Sequence, residues 1–468
     1  MALKETSIRF FGACGTVTGS RFLVEHCDDN VLVDCGLFQG PREIRKHNWD
    51  PFPFPPSDIN RAVITHAHID HSGYLPRLVR QEFNGKIHTT RATNDLLKIL
   101  LPDAAMIQEE DAAFYNRKKI SRHIRALPLY NSLDARRTLA HIKDHKPDES
   151  VNISENFKLE FKSVGHILGA SMVHLTIGND ISRKEILFSG DLGRYGVPIL
   201  NDPKPPPAVE NLVMESTYGN RLHTSDPTPR AQLAEVLNRI YDSKSVLLIP
   251  SFAVGRTQEI LYHIRILEQE GIIPEIPVYI DSPMAIDVTD VYFSHSEYFD
   301  DDLKKKISKN KDFLTPKNFH MTRSPAESRK LNNREGPMVI ISASGMLSGG
   351  RIRHHLYHRI SNPSTELLFV GYQAQGTRGR ELLEGAETIS IFKQELKVKA
   401  RIAKINGFSA HGDYAEMLKW LSGMPQPPKR IFLVHGEEDV RSAWSEKISE
   451  KFPDSEIIIP DMEDSFAI

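Results

Sequence analysis

Apolar runs of about three to six residues recur along this chain, and many break off at a glycine, a histidine or a carboxylate. Near the N-terminus, Ile8 to Gly12, Phe22 to Glu25 and Val31 to Asp34 are such runs, separated by glycine-rich turns. They predict an antiparallel meander that ends at Asp34. A proline-rich loop, Pro51 to Pro56, precedes the strand-like run Arg61 to Thr65. From Thr93 to about Arg122 the apolar spacing takes the helical period, and Pro102 is expected to kink or divide that helix. Strands resume at Leu159 to Val164, Ser171 to Ile177 and Glu185 to Ser189.

The pattern changes after Asp202-Pro203-Lys204-Pro205-Pro206-Pro207, a stiff connector. Strands at Val246 to Pro250, Val278 to Ile280, Met338 to Ile341 and Leu367 to Val370 now alternate with helical stretches, at Thr257 to Glu270 and near Arg351. Short apolar strands alternating with helices predict a parallel, doubly wound sheet. The last 70 or so residues return to the first style, with Arg401 to Ile405 running on to His411, Ile431 to Val434 ending at His435, and a closing strand at Ile457 to Ile459. An α/β chain is therefore expected, with one domain inserted into another: residues 1–207 and 396–468 form the outer domain and 208–395 the insert.

Composition narrows this picture. At 468 residues the chain exceeds one ordinary core, and 40% apolar with 26% charged residues is a globular balance. A net charge of -2 excludes a wholesale basic surface, so nucleic acid would need a local groove. Cys14, Cys27 and Cys35 form no C-x-x-C pair and are expected to be reduced, mostly buried thiols of a cytoplasmic protein. Neither a signal peptide nor a run of about 18 apolar residues is present, so no membrane partner is expected.

Candidate chemistry concentrates at His66-Ala67-His68-Ile69-Asp70-His71, directly after a predicted strand. Alternate side chains of an extended segment share a face, so His66 and His68 can reach one ion, and Asp70 and His71, beyond a bend, a second. The cluster lacks cysteine, which favours a hydrolytic N/O site over a closed thiolate zinc. Asp34, His166, Asp191, Glu215, His411 and His435 also follow apolar runs, and strand carboxyl ends gather reactive side chains at one cleft.

Together these residues resemble the metallo-β-lactamase superfamily. Glu215 in Glu-Ser-Thr-Tyr-Gly, His411 in Phe-Ser-Ala-His-Gly-Asp and His435 in Leu-Val-His-Gly are similar to motifs A, B and C of its β-CASP nucleases. The resemblance covers nearly the whole chain, including 251–256, 281–284 and 342–346 of the insert. It implies an αββα sandwich carrying a β-CASP domain. By it, His66, His68 and His166 would hold one zinc and Asp70, His71 and His435 another, bridged by Asp191, with Asp34 orienting a ligand. Two Zn2+ would activate a bridging hydroxide for attack on a phosphodiester, and Mn2+ or Fe2+ would suit the same donors. His411 would protonate the leaving oxygen with Glu215 supporting it, and the products would carry a 5′-phosphate and a 3′-hydroxyl.

Histidine at motif C is similar to the RNA-processing members, whereas the DNA-repair branch typified by Artemis carries valine. The expected partner is single-stranded RNA, and a homodimer is compatible with the sequence. Chain length points to compact prokaryotic relatives of the pre-mRNA 3′-end cleavage nuclease, without the N-terminal KH pair of archaeal relatives or the C-terminal extension of RNase J. Phosphate-binding candidates are Ser251 and Arg256, Ser344, Gly345 and Arg351, and Arg378, all in glycine-containing loops ahead of helices. Two rivals share the same residues: an ester or lactone hydrolase on the same metal core, and a non-catalytic RNA-binding subunit. The separate Glu215 and His411 pair disfavours the first, and retention of every expected ligand disfavours the second. Neighbouring His354 and His355 point apart on a helix and are expected to be structural or to face RNA.

Overall fold

The computed structural model describes residues 6–118, 124–179, 183–223, 227–307, 314–371, 373 and 376–468. The chain divides into two units, one of residues 1–197, 201–222 and 411–468 and the other of 198–200 and 223–410.

Alternation of buried and outward positions builds the first unit. Phe157, Leu159 and Phe161 point inward from strand Phe157–Ser163, and Val173, Leu175 and Ile177 from its antiparallel neighbour Ser171–Ile177. They belong to a seven-stranded sheet in the order Glu456–Ile458, Arg430–Val434, Asn211–Glu215, Lys184–Phe188, Ser171–Ile177, Phe157–Ser163, Ser150–Asn152. A second seven-stranded sheet runs Ser465–Ala467, Ser7–Phe10, Phe22–His26, Asp29–Val33, Arg61–Val63, Lys86–Thr90, Ile142–His145. Side chains from both inner faces form one core. Phe10 reaches Phe432 across the gap at 5.4 Å, and Phe22 stacks on Phe188 at 5.9 Å. Helix Arg91–Lys118 packs outside one sheet and Glu438–Lys451 outside the other, giving four layers, αββα.

Strand direction decides where the chemistry gathers. Asp29–Val33 and Arg61–Val63 are parallel, as are Lys184–Phe188, Asn211–Glu215 and Arg430–Val434. Within each set the carboxyl ends lie at one edge, and these strands lead into Asp34, His66, Asp191, Glu215 and His435.

The second unit is built differently. Its six-stranded sheet, Phe319–Met321, Val278–Ile280, Met338–Ser342, Val246–Pro250, Thr365–Phe369, Arg401–Lys404, is parallel throughout. Leu247, Ile249, Val339 and Ile341 enter one core, and Val246, Leu248, Met338 and Ile340 enter another. Both faces of the sheet are therefore covered, by helices Pro229–Asp242 and Arg256–Gln269 on one side and Ile352–Arg359 on the other.

Several expectations move. The division falls at 222 and 410 where the composition change suggested 207 and 395, because strand Asn211–Glu215 pairs between Lys184–Phe188 and Arg430–Val434 of the first unit. Arg401–Lys404, read as the return of the outer domain, is an edge strand of the insert paired with Thr365–Phe369. Helix Arg91–Lys118 continues through Pro102 as one element, and its expected end at Arg122 lies outside the described residues. Cys35 is buried, but Cys14 is half-buried and Cys27 exposed, all three as free thiols. Among the described residues no helix is long and apolar enough to cross a membrane.

Phe10 is fully buried between the sheets and touches three other rings. Phe10→Ala is expected to cost about 3–5 kcal/mol. Chemical denaturation reads this, and a midpoint left unchanged would show that the core does not depend on that ring.

Candidate metal centre

Ligand-type side chains converge at the sheet edges of the first unit. After strand Arg61–Val63 the chain bends at Thr65 and Ala67, on either side of His66, and past His68 enters the short helix Ile69–Ser72, which carries Asp70 and His71. That turn is pinned from outside. Cys35 and Leu37 donate backbone N–H bonds to the carbonyls of His71 and Ile69 at 2.7 and 2.9 Å, and Ser20 N donates to Asp70 O at 2.9 Å. A Cβ on Gly36 would lie 1.6 Å from Asp70 O, so only glycine allows this approach. Buried Arg21 closes the arrangement, donating to Gly36 O at 2.8 and 3.1 Å while lying over the Tyr74 ring at 3.9 Å.

Three overlapping groups of candidate donors result: His66, His68, His166 and Asp191; Asp70, His71 and His435; and Asp191, Glu215 and His435. The first two are separate donor sets, and the third links them through Asp191 and His435. His68 Nδ1 lies 3.1 Å from His66 Nε2 and 3.2 Å from His166 Nε2, and Asp191 Oδ2 lies 3.5 Å from both Nε2 atoms. In the second set His71 Nε2 and His435 Nε2 are 3.2 Å apart, and Asp70 Oδ2 is 3.5 Å from the latter. Asp191 faces both sets, with Oδ1 3.3 Å from His71 Nε2.

These spacings test whether divalent ions fit. Ligand atoms placed tetrahedrally about 2.0–2.1 Å from an ion stand roughly 3.3 Å from one another. The donor separations fall around that value. Asp191 Oδ1 is buried and accepts no hydrogen bond, a loss in desolvation that a cation would offset. Burial keeps His66 well below the usual histidine range and brings His68 down to about 4, so both present neutral nitrogens. Burial opposes ionisation of Asp191, but His435, His71 and His66 around it hold it well below the usual carboxylate range.

Each inner histidine is also oriented from behind. Asp34 accepts from His71 Nδ1 at 2.7 Å and from Thr65 N at 2.9 Å. Thr65 Oγ1 contacts His66 Nδ1 at 3.0 Å, and Thr217 Oγ1 contacts His435 Nδ1 at 3.0 Å. In each case the bond leaves Nε2 for the ion. Sequence reasoning named Asp34 and passed over the two threonines. Their signal was adjacency: Thr65 precedes His66, and Thr217 lies two residues after Glu215.

Outside both donor sets of the paired centre, His411 Nδ1 sits 3.1 Å from Glu215 Oε2, and its Nε2 is 3.9 Å from Asp191 Oδ2. Burial disfavours the charged imidazole, yet the Glu215 and Asp191 carboxylates outweigh it and push His411 up to about 9. Glu215 is fixed by the backbone N–H of Leu192. The His411 loop is fixed by Gly412 N on Leu192 O at 2.8 Å and by Asp413, which caps helix Tyr414–Leu421.

Comparison with known proteins agrees with this geometry. Residues 15–251 match the Metallo-beta-lactamase superfamily, 257–382 the Beta-Casp domain, and 395–460 the Zn-dependent metallo-hydrolase RNA specificity domain. The chain belongs to the metallo-β-lactamase superfamily, in its β-CASP branch. It is 36% identical to Ribonuclease TTHA0252 of Thermus thermophilus over 92% of this chain and 93% of that one. It is 31% identical to an RNase J-like protein of Methanocaldococcus jannaschii over 92% of each. Transcription termination factor FttA of Methanosarcina mazei is 32% identical over 91% of this chain, which spans 66% of that protein. A solved structure of a protein of unknown function from Enterococcus faecalis has the same fold, with a TM-score of 0.55 at 13% identity over 99% of this chain and 100% of that one. Membership of this zinc-dependent hydrolase family implies that the chain binds a divalent metal.

The six phosphate-binding candidates of the β-CASP insert fare differently. Arg351 is spent on Asp281 Oδ1 at 2.7 Å and on the carbonyls of Thr322 and Arg323 at 3.0 and 2.7 Å. Arg378 donates to Ser390 O at 3.0 Å, and Arg256 pairs with Glu259. Arg351 and Arg378 thus bridge separate segments of the chain, and Arg256 pairs within its own helix. Ser251 is buried, with its hydroxyl on Phe252 O, while in the loop after Met338–Ser342 Ser344 is half-buried and Gly345 buried. His355 is buried between Asp281 and Asn332 at 2.6 and 2.8 Å and is structural; His354 packs on Phe392.

Asp34→Asn removes the charge behind His71. Metal affinity, read by chelator competition, is expected to fall 10–100-fold; an unchanged affinity would remove Asp34 from any role in the centre. Gly36→Ala is expected to displace Asp70 and lower metal content in the purified protein, and full metal content would contradict the close approach argued for that glycine.

Proposed function

We propose that this chain is a metal-dependent ribonuclease that hydrolyses single-stranded RNA at a centre of two zinc ions. One observation carries the reading: Asp191 of one donor set lies 3.3 Å from His71 of the other, and His411, backed by a buried carboxylate, stands beside Asp191. His66, His68 and His166 would hold one ion, Asp70, His71 and His435 the other, and Asp191 would serve both. Zinc so held supplies Lewis acidity, lowering the pKa of water and offsetting charge on a phosphoryl group.

The chain's own residues do the rest. Asp34, Thr65 and Thr217 take the outer nitrogens of His71, His66 and His435, which fixes ring orientation and tautomer. Glu215 accepts a hydrogen bond from His411 Nδ1–H and supports the protonated ring, so that Nε2–H faces away as the acid. Nε2 gives its own proton to the departing ribose oxygen and Nδ1 keeps its proton, leaving a neutral imidazole, a 3′-hydroxyl and a 5′-phosphate. Such an acid has no counterpart among the ligands, and it supports a phosphodiester with a poor leaving group over a small ester. RNA as substrate is supported by the names of the relatives, a ribonuclease among them, and by the RNA specificity domain matched at 395–460.

Single-stranded RNA labelled separately at each end, incubated with the zinc-loaded protein, tests the reading. Cleavage is expected, abolished by a chelator and slowed roughly 10²–10⁴-fold in His411→Ala. Internal fragments would establish an endonuclease, and mononucleotides released from the 5′ end an exonuclease. Intact RNA beside a hydrolysed aryl ester or lactone would overturn the proposal in favour of a small-molecule hydrolase, and binding without cleavage in favour of an RNA-binding subunit.

A further inference from the structure

Phe252 is 45% exposed, in a loop that is otherwise closely held. It follows strand Val246–Pro250 and precedes helix Arg256–Gln269, at the carboxyl end of the parallel sheet of the second unit. Its backbone carbonyl accepts from Thr257 Oγ1 at 2.8 Å and from Ser251 Oγ at 3.2 Å, and Ser251 N donates to Ser342 O at 3.1 Å. The main chain is thus pinned inward while the ring is left at the surface.

The adjacent parallel strand, Met338–Ser342, sends its own loop to the same edge. Gly345 of that loop lies against the ring: a Cβ there would be 3.1 Å from Phe252 Cδ2 and Cε2. That loop is held as well. Gln373 Nε2 donates to Gly345 O at 2.9 Å, Gly349 N donates to Ser344 Oγ at 3.1 Å, and Leu347 is fully buried. Ser344 Oγ and Ser348 Oγ lie 3.1 Å apart at the surface of this loop, within the same short segment as Gly345.

One exposed aromatic side chain is ordinary on a protein surface. Here the ring is backed on one side by a glycine, held by two ordered loops, open on the other side, and accompanied by hydroxyl groups. Adjacent parallel strand ends are also where open α/β sheets bind ligands. A single-stranded nucleic acid is gripped by aromatic rings that take its bases and by polar groups along its backbone. We propose that Phe252, seated on Gly345, is a stacking platform for one unpaired base of the RNA substrate, with the Ser344–Ser348 hydroxyls facing the adjoining backbone. The inference rests on the ribonuclease reading and adds to it a residue that recognises the base in place of the phosphate.

The test measures binding of a phosphorothioate-linked oligouridylate, which resists cleavage, to the full-length zinc-loaded protein. An abasic residue is placed at each position in turn. For the unaltered chain, one position is expected at which loss of the base weakens binding roughly 5- to 100-fold. In Phe252→Ala the intact oligonucleotide should bind more weakly by a similar factor, and the abasic residue at that position should cost nothing further. Phe252→Trp should keep the dependence on the base, and Gly345→Ala, which crowds the ring, should reduce it. If the protein binds the oligonucleotide but Phe252→Ala leaves the abasic profile unchanged, the platform is overturned and the ribonuclease reading stands. If the unaltered chain does not bind RNA at all, both fall.

Discussion

The centre of the first unit answers to one electrostatic constraint: imidazoles and carboxylates are packed within hydrogen-bond distance of one another, out of water. Burial keeps His66 and His68 neutral, Asp191 and Asp34 hold His71 well above the usual histidine range, and buried carboxylate oxygens without donors lose hydration. A divalent cation held there would offset that loss by coordination. Two sheets with parallel strand ends bring the residues to one edge, and bonds from Asp34, Thr65 and Thr217 stop the imidazoles from turning away. The sandwich core, with Phe10 and Phe22 meeting Phe432 and Phe188, holds the two edges in register.

The second constraint is proton supply. His411 is placed by a capped helix and a glycine N–H bond, and faces Glu215 on one nitrogen and the shared Asp191 on the other. An acid held separately from the ligands can act on a leaving group while the ligand set stays intact. The insert contributes a differently built unit whose loops at strand carboxyl ends are fixed by interior bonds. Arg351 and His355 both bond to buried Asp281 and fix it in place.

Much of this was legible in the sequence, for a physical reason. Strands buried on one or both faces must be apolar, and a polar residue at their end is conspicuous, so His66, Asp191 and His435 announced themselves. The alternation of strands and helices after Pro207 gave the parallel sheet. What escaped depends on which strand pairs with which. Asn211–Glu215 and Arg401–Lys404 have the composition of strands of either unit, and their sheet is decided by neighbours distant in the chain. The internal bonds of the insert's arginines were not legible either, because a guanidinium beside a glycine loop looks the same in sequence whether or not, like Arg351, it meets a buried aspartate. Thr65 and Thr217 escaped because a hydroxyl carries no signature until its partner is seen. Phe252 was hidden in an apolar run whose other members are buried.

The most direct test of the central claim is anomalous scattering at the zinc edge from crystals of the zinc-loaded protein. The account predicts two peaks, one among His66, His68 and His166 and one among Asp70, His71 and His435, with Asp191 reaching both. A single peak, or peaks away from these residues, would contradict it.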